Sequence, residues 1–199
     1  MASEEVRRRL VHAAGTGYPL VYLLGEWFGL GVGWRAVRLL LVVSSAGVLV
    51  LEALRLGGYV DWAVFDRLTR DYEEKYLAGY ALYVFGMTTV ALLFSAQVGV
   101  PAMLMLTIGD PISGLLGSSQ LIQGGWTVLV KRWWVLLAMF GVCLVLAAPF
   151  VPLAAAAAGA LAATLADGVK PVVRGSVIDD NLTIPIGAAA AMWLVVTYL

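Results

Sequence analysis

Residues 101–119 read PAMLMLTIGDPISGLLGSS, an apolar run that holds a single acid, Asp110, between Gly109 and Pro111. Read as a helix over 100–118, the run places Asp110 about ten residues from its start. At roughly 1.5 Å per residue that is near mid-bilayer, or in a cavity reaching that depth. An ionised carboxylate there costs at least about 2.5–3.5 kcal/mol on insertion scales, so it needs a partner or water. Pro111 removes a backbone donor and disturbs the helix locally, and open backbone groups at membrane depth are tolerated where they line a polar cavity. Ser113, Gly114 and Gly117 follow Asp110 at offsets of three, four and seven, which makes one helix face both acidic and small. Such a face lets a ligand approach the backbone. Gly109, Ser113 and Gly117 also fit a small-xxx-small contact with a neighbouring helix, and the two uses can coexist.

The rest of the chain continues this character. Of 199 residues 61% are hydrophobic and 13% charged, with a mean hydropathy of +0.89, far from the composition of a soluble domain. The expectation is an all-α, polytopic integral membrane protein, a single membrane domain of about seven transmembrane helices near 10–29, 35–54, 77–97, 100–118, 133–149, 152–167 and 183–199. Gly29 and Gly31, Gly99 and Pro101, and Pro149 and Pro152 are read as tight outer turns. The polar, aromatic segment 57–76 is expected to lie along the membrane interface, where it would gate lipid access.

Orientation follows from the basic residues. With seven spans, Arg7, Arg8, Arg9, Arg55, Arg67, Arg70, Lys75, Lys131, Arg132, Lys170 and Arg174 share one side, leaving only Arg35 and Arg38 opposite. That places the amino terminus in the cytosol and the carboxyl terminus outside, in the plasma membrane if the chain is prokaryotic. The first apolar helix holds His12 and Glu26 and lacks a small-residue cleavage site, so it reads as a permanent span. Cys143 is the single cysteine, which removes disulfides and cysteine metal sites. A formal net charge of zero gives no reason to expect nucleic-acid binding. The alanine-rich run at 154–163 suits close helix packing.

A second polar constellation is IDDNLTIP at 178–185. Asp179, Asp180 and Asn181 offer the hard oxygen ligands that Mg2+ takes when it also holds substrate phosphates. They equally form an ordinary helix start, with an acidic cap and Pro185 in the first turns. Gly124 and Gly125, followed by Lys131 and Arg132, suit a phosphate cradle, and also suit a topology signal. Arg8 and His12 lie four apart on one helix face and form a second candidate phosphate clamp. Glu52 with Arg55, and Asp167 with Lys170, are spaced to pair at helix ends.

These pieces in this order resemble the dolichol kinase family, the CTP-dependent polyprenol kinases, which are related to phytol kinases and CDP-diacylglycerol synthases. The resemblance runs from Arg8 to about Pro185 through RRLVH at 8–12, EALR at 52–55, AGYALYVFG at 78–86, GDPISGLLG at 109–117 and IDDNLTIP at 178–185. It implies a nucleotide-phosphate and metal site built from Asp110, Ser113 and Gly117, completed by Asp179, Asp180 and Asn181, with functional roles for His12, Glu52 and Arg55. Family members follow the glycines with a basic pair and a Glu-Gly-Ser-like segment; here Lys131-Arg132 runs into Trp133-Trp134.

The expected activity is transfer of the terminal phosphoryl group of CTP to a polyprenol hydroxyl, the step that makes dolichyl phosphate. Such chemistry needs in-line positioning and neutralised oxygen charge more than covalent participation. Mg2+ held by Asp110, Asp179 and Asp180 would supply the neutralisation; Lys131, Arg132, Arg8, His12, Ser113, Gly114, Gly117 and Asn181 would bind nucleotide or phosphate. The partners are a nucleotide and a membrane lipid alcohol, with homo-oligomerisation left open. Two rivals stand: cytidylyl transfer to a lipid phosphate, and a small transporter using Asp110 as an intramembrane ion site.

Overall fold

A computed structural model describes residues 10, 12–60, 62, 69, 73, 75–117, 120–123, 127–173 and 176–199. Arg8, Gly124, Gly125, Arg174 and most of the segment 57–76 lie outside the described residues, and with them the expected clamp, cradle and interfacial roles. Seven helices can be followed among the described residues: α1 (Gly17–Trp27), α2 (Trp34–Leu56), α3 (Gly79–Leu93), α4 (Ala96–Leu116), α5 (Trp133–Ala147), α6 (Leu153–Gly168) and α7 (Asp180–Tyr198). Residues 12–14, just before α1, are helical too.

Three of these, α2, α4 and α7, are long and apolar enough to cross a membrane. The expectation of about seven spans therefore reduces, on length, to three helices that meet the criterion and four shorter ones. A helix of 15 residues such as α3 or α5 reaches only about 22 Å, against a hydrocarbon core of about 30 Å.

The helices alternate in direction. At one end Trp34 Nε1 at the start of α2 donates to the carbonyl of Phe94, just past α3, at 3.1 Å. Arg38 donates to the carbonyls of Ala91 and Phe94, closing orphan carbonyls at the end of α3. At the other end the carboxylate of Glu52, late in α2, accepts from the backbone of Ala78. α7 packs against α6, α3 and α4, and α5 against α6. Alanines and glycines allow this closeness: a methyl group at Gly159 of α6 would stand 2.5 Å from Met192 of α7.

α4 is the central helix, mostly buried, whereas only a minor share of α2 and α7 is buried. It starts earlier than expected: Gly99 and Pro101 lie inside it, and the reversal falls at Phe94 and Ser95. Pro101 is the sixth residue of the helix, so the bond its missing donor would have made to the carbonyl of Gln97 is lost there. Pro111 sits deeper, and its missing donor and its ring both bear on the carbonyl of Thr107. The helix answers with a π turn, Met105–Gly109, before resuming as Asp110–Leu116, a local widening often found at functional sites. The earlier start also moves Asp110. It lies roughly 21 Å from the first residue of α4 and about 9 Å from the last, towards one end and not at the middle.

Helices dominate, yet two segments between the expected spans, 120–130 and 169–177, contain strands. β1 (Gln120–Gln123), β2 (Thr127–Val130), β3 (Val169–Val173) and β4 (Ser176–Val177) make an antiparallel sheet in the order β1-β2-β3-β4. Runs of Val, Ile and Thr favour a strand even in short connections. Val130 faces Val169 and Leu129 faces Lys170 across the β2–β3 pair.

Candidate active site

The strands decide which charges meet. β2 ends directly before Lys131, and β3 begins directly after Asp167 and Gly168, so pairing the two strands brings the ends of α5 and α6 together. The amide of Lys131 donates to the carbonyl of Gly168 at 3.0 Å. Lys131 Nζ then lies 2.5 Å from Asp167 Oδ1 and 3.0 Å from Ser113 Oγ, and Ser113 donates to Asp167 Oδ2 at 2.5 Å. Asp167 and Ser113 are fully buried and Lys131 almost so. Asp167 sits at the carboxyl end of α6, where the helix dipole disfavours an anion; the lysine and the hydroxyl offset that.

Asp180 opens α7, where the dipole favours a carboxylate, and forms an ion pair with Lys170 of β3. Burial lowers the affinity of the Lys170 amine for its proton, and the neighbouring Asp180 more than reverses this, so its pKa is raised. Lys170 therefore remains a cation throughout the physiological range. The spacing of Asp167 and Lys170 suits either a pair or a place in the site; the structure gives each a different partner, because Lys170 lies on a strand and not on a further turn of α6.

Asp110 completes the set. One carboxylate oxygen from each of Asp110, Asp167 and Asp180 lies within 4.8 Å of the others. His12 Nδ1 is 3.0 Å from Asp110 Oδ2, and the imidazole rests on Tyr83 with ring centroids 4.2 Å apart. Tyr83 also donates to the carbonyl of His12 at 2.7 Å. His12 Nε2 is buried with no hydrogen-bond partner among the described residues. Three carboxylates thus stand beside two ammonium groups and an imidazole, in a nearly charge-balanced polar core at one end of an apolar bundle.

Several expected site residues fall elsewhere. Asp179 is not one of the three clustered carboxylates: it is the N-cap of α7, accepting from the amide of Asn181 at 2.9 Å. The Asn181 side-chain amide, expected on phosphate, donates to the carbonyl of Gly79 at 3.2 Å and holds α7 against α3. Arg132, adjacent to Lys131 in sequence, lies with its guanidinium 4.7 Å from the Trp134 ring centroid and exposed; the extended backbone before α5 turns neighbouring side chains in opposite directions. Gly117 packs on α5, where a methyl group would meet Val135 at 3.0 Å, and Gly109 packs on Met139 and Cys143. Gly114 is half-buried next to Ser113. The small face of α4 therefore serves helix packing at Gly109 and Gly117 and polar contact at Ser113.

Glu52 and Arg55 form a second polar centre. Arg55 grips the carboxylate with two bonds of 2.8 Å, and Glu52 also accepts from the Tyr80 hydroxyl and, at 3.0 Å, from the Ala78 amide. Tyr80 and Ala78 belong to AGYALYVFG, whose local sequence carries no sign of that role. The signal that would have located Asp167 in the cluster was its fixed distance from β3, legible only with the strands assigned. Comparison with protein-family models, with curated proteins and with solved structures finds no match to this chain.

Proposed function

We propose that the chain is a membrane-embedded lipid kinase, transferring the terminal phosphoryl group of CTP to the hydroxyl of a polyprenol at the cytosolic face. The observation that carries this reading is the meeting of Asp110, Asp167 and Asp180 with Lys131 and Lys170 at one end of an apolar helical bundle. The resemblance of RRLVH, GDPISGLLG and IDDNLTIP to the dolichol kinases is in keeping with it. In this reading the shorter helices span together with α2, α4 and α7, the amino terminus faces the cytosol and the carboxyl terminus lies outside.

The donor set suits a small divalent cation. Mg2+ with oxygen ligands at 2.0–2.1 Å holds neighbouring ligands roughly 2.9 Å and opposite ligands about 4.2 Å apart, and the three carboxylates, within 4.8 Å of one another, stand close to that spacing. Asp110, Asp167 and Asp180 would hold the cation, in place of the expected Asp110, Asp179 and Asp180. The cation supplies charge neutralisation to the phosphates. Lys131 and Lys170 exchange carboxylate oxygens for phosphate oxygens as the nucleotide arrives, so that each ammonium keeps an anionic partner. The alcohol oxygen then bonds to the terminal phosphorus, the bond from that phosphorus to the bridging oxygen breaks, CDP leaves, and the hydroxyl proton passes to a carboxylate of the cluster or to water.

Product analysis tests the reading. Purified protein given CTP, Mg2+ and a polyprenol is expected to yield polyprenyl phosphate and CDP. Pyrophosphate and a CDP-lipid formed from a lipid phosphate would replace the kinase by a cytidylyltransferase, and ion uptake into proteoliposomes without nucleotide would replace it by a transporter.

A further inference from the structure

Glu52 spends its acceptor capacity on an unusual task. The N-cap of α3 is Ala78, whose methyl side chain cannot cap a helix. In a capping box a glutamate of the same helix reaches back to the first free amide; here Glu52 does so from α2, accepting from the Ala78 amide while Tyr80 donates to its other oxygen. Arg55 orients the carboxylate with two bonds and uses its remaining donors on the carbonyls of Glu73 and Tyr76, so the approach to α3 is tied to the same pair. Glu52 is 1% exposed, and a buried carboxylate gripped from four directions has one position.

The first turn of α3 is in turn the seat of the first turn of α7. Gly79 accepts from the side chain of Asn181, and a methyl group at Gly79 would stand 3.2 Å from that amide nitrogen. Two turns further, a methyl group at Gly86 would stand 2.5 Å from the carbonyl of Asn181 and 3.2 Å from Pro185. At Gly86 nothing but hydrogen fits between the helices, and at Gly79 the contact is tight. Asn181 neighbours Asp180, whose carboxylate completes the acidic cluster.

We infer that Glu52, oriented by Arg55, is a positioning residue for Asp180: it sets the first turn of α3, and α3 sets the first turn of α7. The structural half of this stands on contacts alone, and only its catalytic consequence rests on the kinase reading. Hydrogen exchange on the purified full chain tests the structural half. Glu52→Gln is expected to speed exchange of the Leu182 and Thr183 amides roughly tenfold, the scale of one lost bond to a charged group, with Asn181→Ala doing the same. Unchanged exchange at α7 in Glu52→Gln, with loosening confined to α3, would overturn it. Tyr80→Phe removes one donor to the carboxylate and serves as the milder variant if Glu52→Gln does not fold; it should shift the same amides in the same direction, and no shift counts against the inference. For the catalytic half, Glu52→Gln and Asn181→Ala should each lower kcat about tenfold with KM for the polyprenol unchanged, and the double variant should fall little further, since both act through one contact path. Multiplying losses would overturn the shared path. A wild-type chain without CTP turnover would remove the kinase reading and leave the exchange result to decide the inference.

Discussion

The two buried acidic centres of this chain differ in how their carboxylates are used. At Glu52 one carboxylate meets an arginine, a tyrosine hydroxyl and a backbone amide, and every partner lies on α2 or at the start of α3. At the other centre three carboxylates from α4, α6 and α7 crowd within 4.8 Å and share two lysines, Lys131 just past β2 and Lys170 on its neighbour β3. The first arrangement is saturated and local, which suits a fixed joint. The second draws like charges together from distant parts of the chain, which costs free energy unless cations are present, and in the proposed reaction its lysines give way to a metal and a phosphate. Similar residue types thus do different work according to how many anions share one space.

That contrast can be broken at the acidic cluster first. Asp110→Asn, and separately Asp180→Asn, should lower CTP turnover by about 10²–10³-fold, the scale of single electrostatic contributors, with helical content by circular dichroism preserved; turnover within a few fold of wild type would remove the residue from the site. Lys131→Met leaves Asp167 buried without its cation, and breaking such a pair costs about 3–5 kcal/mol, so the detergent-solubilised variant should melt well below wild type. Lys131→Met combined with Asp167→Leu should recover most of that loss, because a buried pair replaced by apolar groups is often neutral, while turnover stays low.

The joint between the centres comes next. Gly86→Ala places a methyl group against the carbonyl of Asn181 and should cost about 1–3 kcal/mol by overpacking, read as a lower melting temperature. Arg132→Ala should have the smallest effect, below about 1 kcal/mol for an exposed cation–π contact, with turnover falling less than a few fold. A large loss there would return Arg132 to the phosphate site where its sequence neighbourhood first placed it.

Part of this site was legible without coordinates. Asp110 announced itself by its cost in an apolar run, and Asp180 by two adjacent acids before an apolar helix. Glu52 and Arg55 were three apart on a helix end, and the pair forms. Asp167 and Lys170 shared that spacing and do not pair, because the helix ends between them and the chain continues as a strand. Lys131 and Arg132 were indistinguishable as a basic doublet, and an extended backbone sends one into the cluster and the other onto Trp134. Asp179 and Asn181 looked like ligands beside Asp180, yet the geometry of a helix start commits them to capping and to Gly79.

The sequence by itself determined that the chain is apolar and predominantly helical, because hydrophobic content and the spacing of its interruptions are properties of each segment alone. It also singled out the acids too costly to be incidental. Only the tertiary structure decided which charges meet, since that depended on short strands whose stability comes from pairing with each other. The length of α4, the site's place near one end and the grip of Glu52 on α3 arise the same way, from contacts between residues far apart in the chain.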